Sequence, residues 1–115
     1  MSKLFPNSPN LIPYFTLGDG SKTFTQQCVE TAFDAGATAC EIGIPFSDPL
    51  ADGPVIQAAH NRALKKYPEI SILDGFDLVT KVKKRYTQPL FFMMSVNLVL
   101  QYGIKRFFKD AKSNK

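Results

Sequence analysis

Cysteine, histidine and long apolar runs are all scarce in this sequence, which has two cysteines and one histidine in 115 residues. Cys28 and Cys40 stand neither at metal-ligand spacing nor in a disulfide-rich context, so they read as ordinary reduced, half-buried thiols. His60 has no neighbouring ligand types with which to hold a metal, and reads as a structural residue of a helix. No stretch reaches the roughly 18 apolar residues of a membrane-spanning helix. The N-terminus, M-S-K-L-F-P-N-S-P-N, lacks the apolar core of a secretory signal. Those absences point to a cytoplasmic protein with no membrane partner. No internal repeat or low-complexity tract is present. The 44% apolar content suits a single small globular domain with one modest core.

Charge is unevenly placed. Residues 1–62 carry three basic and six acidic side chains, whereas residues 63–115 carry eleven basic and four acidic. The basic residues Lys81, Lys83, Lys84, Arg85, Lys105, Arg106, Lys109 and Lys112 fall on the polar faces of amphipathic patterns, with no aromatic ladder between them. They read as solvated helix surface rather than a nucleic-acid site.

The first ten residues have no periodic pattern and read as an irregular lead-in to a domain over 11–115. Leu11 to Leu17 is a short apolar and aromatic run, ended by Gly18-Asp19-Gly20, and predicts a first strand with a local irregularity at Pro13. Ser21 caps a helix with Phe24, Cys28, Val29, Ala32 and Phe33 inward, closed by Gly36. Thr38 to Ile44 predicts a second strand, followed by a helix opened by Pro54 that carries Ile56, Ala59, Ala63 and Leu64 on one side. A third helix starts at Ser71, with Asp74 as a capping partner, and buries Ile72, Phe76, Val79, Val82 and Tyr86. Leu90 to Val96 is the most apolar run and predicts a third strand covered on both faces. Past Gly103 a last amphipathic helix turns Ile104, Phe107, Phe108 and Ala111 inward. Strands alternating with helices indicate parallel βα units, in either a doubly wound sheet or an eight-fold barrel.

The chemistry concentrates between Cys40 and Gln57, C-E-I-G-I-P-F-S-D-P-L-A-D-G-P-V-I-Q. The strand breaks at Pro45 into a loop, and the stretch holds Glu41, Asp48 and Asp52. A glutamate at the end of an apolar strand, with an aspartate at the threshold of the next helix, costs desolvation energy that a structural loop would avoid. This marks a site.

Residues 41–57 resemble the motif of the tryptophan synthase alpha chain family, in which I-P-F-S-D-P is followed by A-D-G-P. The stretches P-Y-F-T-L-G-D at 13–19 and M-S-V-N-L-V-L-Q-Y-G at 94–103 are similar to the ends of that family's first and third strands. The resemblance implies an α/β fold, a partial TIM (β/α)8 barrel of about the first three βα units. It implies a carbon–carbon lyase of tryptophan biosynthesis that cleaves indole-3-glycerol phosphate to indole and glyceraldehyde 3-phosphate by retro-aldol chemistry. It also implies no cofactor in this chain, and a beta-chain partner that carries pyridoxal phosphate, in an α2β2 tetramer. By position Glu41 matches the family's catalytic glutamate, and Asp52 the aspartate that holds the indole N–H. A partly desolvated carboxyl group can serve as both acid and base. Tyr14 and Met93 match positions lining the indole pocket, while Pro45, Asp48, Pro49 and Asn97 match positions that meet the beta chain.

Only three of the family's eight strands are matched, and the phosphate-binding loops after the later strands are not encoded. The expectation is therefore the N-terminal part of such a barrel, truncated before its fourth strand, poorly soluble and nearly inactive alone. The alternatives are a beta-chain-binding module, a remnant without activity, or part of a stand-alone indole-releasing lyase.

Overall fold

The fold is known from a computed structural model, which describes residues 9–114; most of the expected lead-in, residues 1–8, lies outside the described residues, as does Lys115. Strands β1 (Tyr14–Thr16), β2 (Cys40–Gly43) and β3 (Leu90–Met93) form one parallel sheet in the order β1-β2-β3. Helix α1 (Lys22–Asp34) connects β1 to β2, and α2 (Pro54–Lys66) and α3 (Ile72–Val82) connect β2 to β3. After β3 come α4 (Val96–Tyr102) and α5 (Ile104–Ser113).

The strands are short, but the backbone pairing runs past their ends. Thr38 N–H donates to the Leu11 carbonyl (2.9 Å) and Glu41 N–H to that of Pro13 (2.9 Å), so the run from Leu11 is extended alongside β2 as expected. Pro13, which has no N–H, takes part through its carbonyl alone. At the far end Leu17 N–H bonds Gly43 O and Ile44 N–H bonds Met93 O, each at 2.9 Å.

Helix boundaries follow their capping residues. The Ser21 hydroxyl accepts the Phe24 N–H, and Gly36 closes α1 at φ +103°, where a side chain would be strained. Pro54 opens α2. Ser71 and Asp74 form a full reciprocal capping box at the start of α3. Within α1 the inward position belongs to Thr25, whose hydroxyl takes the Gly18 N–H at 3.0 Å, so Phe24 is exposed rather than inward as expected. In α5 only Phe107 is buried, and Ile104 and Phe108, expected inward, face solvent.

The core lies on the helix side of the sheet. Cys40, Ile42 and Ile44 pack there against Val29 and Phe33 of α1 and against Ile72, Phe76 and Val82 of α3. Burial pushes the Cys40 thiol up to about 11, which keeps it protonated and inert at neutral pH, and both cysteines are free. α3 comes close at Gly75, where a Cβ would lie 2.8 Å from Ile44 Cδ1 and 2.9 Å from Phe92 Cζ.

Two expectations for the third strand are corrected. It ends at Met93, and Val96 already belongs to α4, whose N-terminus Ser95 caps by accepting the Asn97 N–H at 3.2 Å. Nor is it covered on both faces: Phe91 is 40% and Met93 52% exposed, while Leu90 and Phe92 face the helices. The apolar run is continuous, but among the described residues Phe91 and Met93 themselves are left uncovered on that face.

Candidate active site

Side chains alternate across a strand, and the sheet register sorts them. Tyr14 pairs with Glu41 and Glu41 with Phe91, so the three share the open face; Thr16, Gly43 and Met93 follow on that face two residues later. Tyr14 lies directly over Gly43, where a Cβ would fall 1.9 Å from the phenol oxygen and 2.6 Å from Cζ. The glycine is what lets the ring lie down on the sheet. Thr16 Oγ1 donates to Tyr14 Oη at 3.1 Å and holds it there.

A cavity of about 420 Å3 opens at the C-terminal ends of the strands, within the roughly 300–1,000 Å3 usual for small-molecule sites. Tyr14, Met93, Phe46, Ile56 and Met94 give it apolar walls, and Asp48, Asp52, Ser95 and Asn97 supply polar groups. Six sequence-predicted residues therefore meet in one hollow: Tyr14, Asp48, Pro49, Asp52, Met93 and Asn97. Glu41, half-buried on β2, is not in its lining, and Pro45 is buried at the root of the loop. Burial, first of all, holds the Tyr14 phenol above its ordinary value; the negative charges of Asp52 and Glu41 push the same way, against the Thr16 hydrogen bond. Both carboxylates thus act on the same ring.

The loop between β2 and α2 is pinned by α2. Gln57 Nε2 donates to the carbonyls of Asp52 (2.8 Å) and Pro49 (3.2 Å). One turn on, buried His60 accepts the Phe46 N–H on Nδ1 at 3.0 Å, and its Nε2 lies 3.6 Å from Asp52 Oδ2. Sequence reasoning placed His60 as structural and missed that it lines this cavity; the available signal was its spacing of three from Gln57, on the helix face that follows the loop. Among the described residues no three His, Cys, Asp or Glu side chains come together as metal ligands would, and no helix is long and apolar enough to cross a membrane.

A second hollow, of about 490 Å3, lies between α3, β3 and α5, lined by Phe76, Leu90, Phe92 and Phe107 with Lys83 at its edge. It is the larger of the two, but it contains no carboxylate, and Lys83 Nζ is already bonded to the carbonyls of Gln88 (2.6 Å) and Thr87 (3.2 Å). Of the two, only the first is lined by carboxylates, those of Asp48 and Asp52.

Parallel βα units with carboxylates gathered at the C-terminal strand ends define the class: the opening units of a (β/α)8 barrel with a site where such barrels carry theirs. The sequence model of the family described as "Tryptophan synthase alpha chain" matches residues 2–115. The chain is 42% identical over 106 residues to the tryptophan synthase alpha chain of Francisella tularensis subsp. tularensis, covering 91% of this chain and 39% of that one. It is 40% identical over 111 residues to that of Petrotoga mobilis, covering 96% and 42% respectively. The crystal structure of tryptophan synthase subunit alpha from Legionella pneumophila superposes with a TM-score of 0.86 at 38% identity, over 91% of this chain and 40% of that chain. A chain of the tryptophan synthase complex from Pyrococcus furiosus matches with a TM-score of 0.82 at 38% identity, over 91% and 42%. This chain belongs to the tryptophan synthase alpha chain family. It spans about two fifths of the length of the relatives it matches.

Proposed function

We propose that the chain supplies the acid–base and indole-binding part of a lyase that cleaves indole-3-glycerol phosphate to indole and glyceraldehyde 3-phosphate in tryptophan biosynthesis, in the cytoplasm. The observation that supports this best is the convergence of Tyr14, Asp52 and Met93 on one cavity with Glu41 beside it on the same sheet face. In this reading the indole ring lies between Tyr14 and Met93, with its N–H on the Asp52 carboxylate. Glu41, protonated, gives a proton to ring carbon 3, and Asp52 stabilises the positive charge that this places on the ring nitrogen. Glu41, now a carboxylate, takes the proton of the adjacent glycerol hydroxyl; the carbon–carbon bond breaks, its electron pair returns to the ring, and the hydroxyl-bearing carbon leaves as an aldehyde. One group gives a proton and regains one, so the cycle closes without a cofactor in this chain. Positioning through the substrate phosphate supplies much of the rate in such a reaction, so the 115-residue chain alone is expected to turn over slowly.

A beta chain that carries pyridoxal phosphate is the proposed partner, in an α2β2 assembly. The loop favours a docking role as well: Leu50 is 84% exposed, Ser47 and Asp48 are exposed, and Asn97 is exposed on α4. Pro49 lies within this surface, whereas buried Pro45 would hold the loop rather than touch a partner. The test is release of indole by the purified chain, alone and with a beta chain. Glu41→Gln should lower it by about 10²–10⁴ while indole still binds by calorimetry. Unchanged release in Glu41→Gln would sink the proton-transfer role. Failure of the beta chain to bind, or binding indifferent to Asp48→Ala, would remove the docking role.

A further inference from the structure

Asp52 is a loop residue, yet a carboxylate that must meet a ring N–H has to be held to a fraction of an ångström. Its backbone is fixed by Gln57, which donates to its carbonyl at 2.8 Å. What fixes its side chain is less evident, since the carboxylate is 29% exposed at the cavity wall. The neighbour that stands out is His60, whose side chain is only 6% exposed and whose two ring nitrogens face two different parts of the loop.

The tautomer follows from the hydrogen bonding. Nδ1 accepts the Phe46 N–H at 3.0 Å, so in the neutral ring the proton resides on Nε2. Nε2 lies 3.6 Å from Asp52 Oδ2, a separation at which the attraction between N–H and carboxylate is electrostatic and the hydrogen bond is not yet closed. A flip of the ring would set a carbon against the Phe46 N–H and leave a part-buried donor without a partner, so the hydrogen bond favours this orientation as well as this tautomer.

We propose that His60 is a positioning residue for Asp52: a single imidazole of fixed tautomer ties the carboxylate to the Phe46 backbone at the opposite end of the loop. The proposal deepens the reading of Asp52 as the indole N–H acceptor and rests on it for the ligand. In this role His60 works through Asp52, although it also lines the cavity. It acts by setting where Asp52 stands relative to the end of β2, from which Glu41 works.

The sequence has one histidine, so its ring nitrogens can be observed without ambiguity in the 15N-labelled 115-residue chain by long-range proton–nitrogen correlation. The expected result in mildly alkaline buffer is one unaveraged form, with Nδ1 bare and Nε2 protonated. Asp52→Asn should shift Nε2 and leave Nδ1 in place. His60→Asn keeps an acceptor near the position of Nδ1 but removes Nε2; the Phe46 amide signal should stay put while indole affinity falls about tenfold. Averaged tautomers, a proton on Nδ1, an Nε2 shift indifferent to Asp52→Asn, or full indole affinity in His60→Asn would each overturn the proposal. A fixed tautomer and a responsive Nε2 in a chain that does not bind indole would uphold the link between His60 and Asp52 and sink the indole reading instead.

Discussion

The sharpest test of the open sheet face is a single methyl group at Gly43. The glycine does not need its conformational freedom, because it is not among the residues with positive φ. The three atoms nearest to a side chain there all belong to Tyr14: an alanine Cβ would lie 1.9 Å from the phenol oxygen, 2.6 Å from Cζ and 2.9 Å from Cε2, so the whole ring edge must move. Once moved, Tyr14 gives up the bond from Thr16 and its seat in the cavity floor. A lost hydrogen bond amounts to about 1 kcal/mol, and forced repacking to roughly 1–3 kcal/mol. We expect Gly43→Ala to cost about 2 kcal/mol in all, which for a domain of this size lowers the melting temperature by roughly 8–16 °C. Indole binding should be lost with it. The assay is a double-mutant cycle by thermal unfolding, because in a Tyr14→Ala background the methyl group has nothing to displace. There Gly43→Ala should come within about 0.5 kcal/mol of neutral. A cost that is the same with and without Tyr14 would refute the argument, since the strain would then lie in the backbone and not under the ring.

Two further predictions concern the scaffold. Ser71→Ala removes the hydroxyl that accepts the Leu73 N–H at 3.2 Å and breaks the capping box of α3, which should cost about 1 kcal/mol in a urea titration; an unchanged midpoint would show that the cap contributes nothing. Asp19 receives Arg62 through both carboxylate oxygens (2.8 and 2.9 Å), and this bond holds its carboxyl below the ordinary value of 3.8. The stability it contributes is fully present above that value and is lost as pH falls through the lower folded one. Asp19→Asn should therefore flatten the acid end of a plot of melting temperature against pH and leave its slope near neutrality unchanged.

How much of this was legible in the sequence depended on where the information resides. The alternation of strands and helices was readable because Ser21, Gly36, Pro54 and Ser71 each mark a boundary by their own chemistry, and each does so in the structure. α4 was not, because the apolar run from Leu90 to Val96 overlaps its first residue, and the Ser95 hydroxyl that separates strand from helix lies inside that run. The carboxylates at 41, 48 and 52 stood out against an apolar strand and a proline-rich loop, and Asp48 and Asp52 do line one cavity. His60 stayed hidden because its partner is the backbone N–H of Phe46, fourteen residues earlier. A sequence displays side chains, and that contact exists only once the loop has folded.

The open face of β3 turns the same distinction into energetics. Phe91 and Phe92 are adjacent and chemically identical, and as letters they contribute equally to the most apolar run in the chain. In the folded chain they differ. Phe92 packs on Phe76 with ring centroids 5.4 Å apart and the planes tilted by 47°, and fits against the bare backbone of Gly75, whereas Phe91 is 40% exposed on the opposite face. Phe92 is only partly buried, so Phe92→Thr should cost about 2–3 kcal/mol, at or below the low end of the range for emptying an aromatic site in a core, a large share of the roughly 5–15 kcal/mol of an ordinary domain. Phe91→Thr removes mainly surface that water already reaches and puts a β-branched residue of good strand propensity in its place. Its urea midpoint should stay near that of the parent chain, while sedimentation should show less self-association, because part of an exposed apolar patch has gone. Equal losses at the two positions would mean that the face of Phe91 is covered in solution, either by a second copy or by a packing of α4 and α5 different from the one described. The sedimentation profile tells these apart, since only a second copy makes the particle heavier.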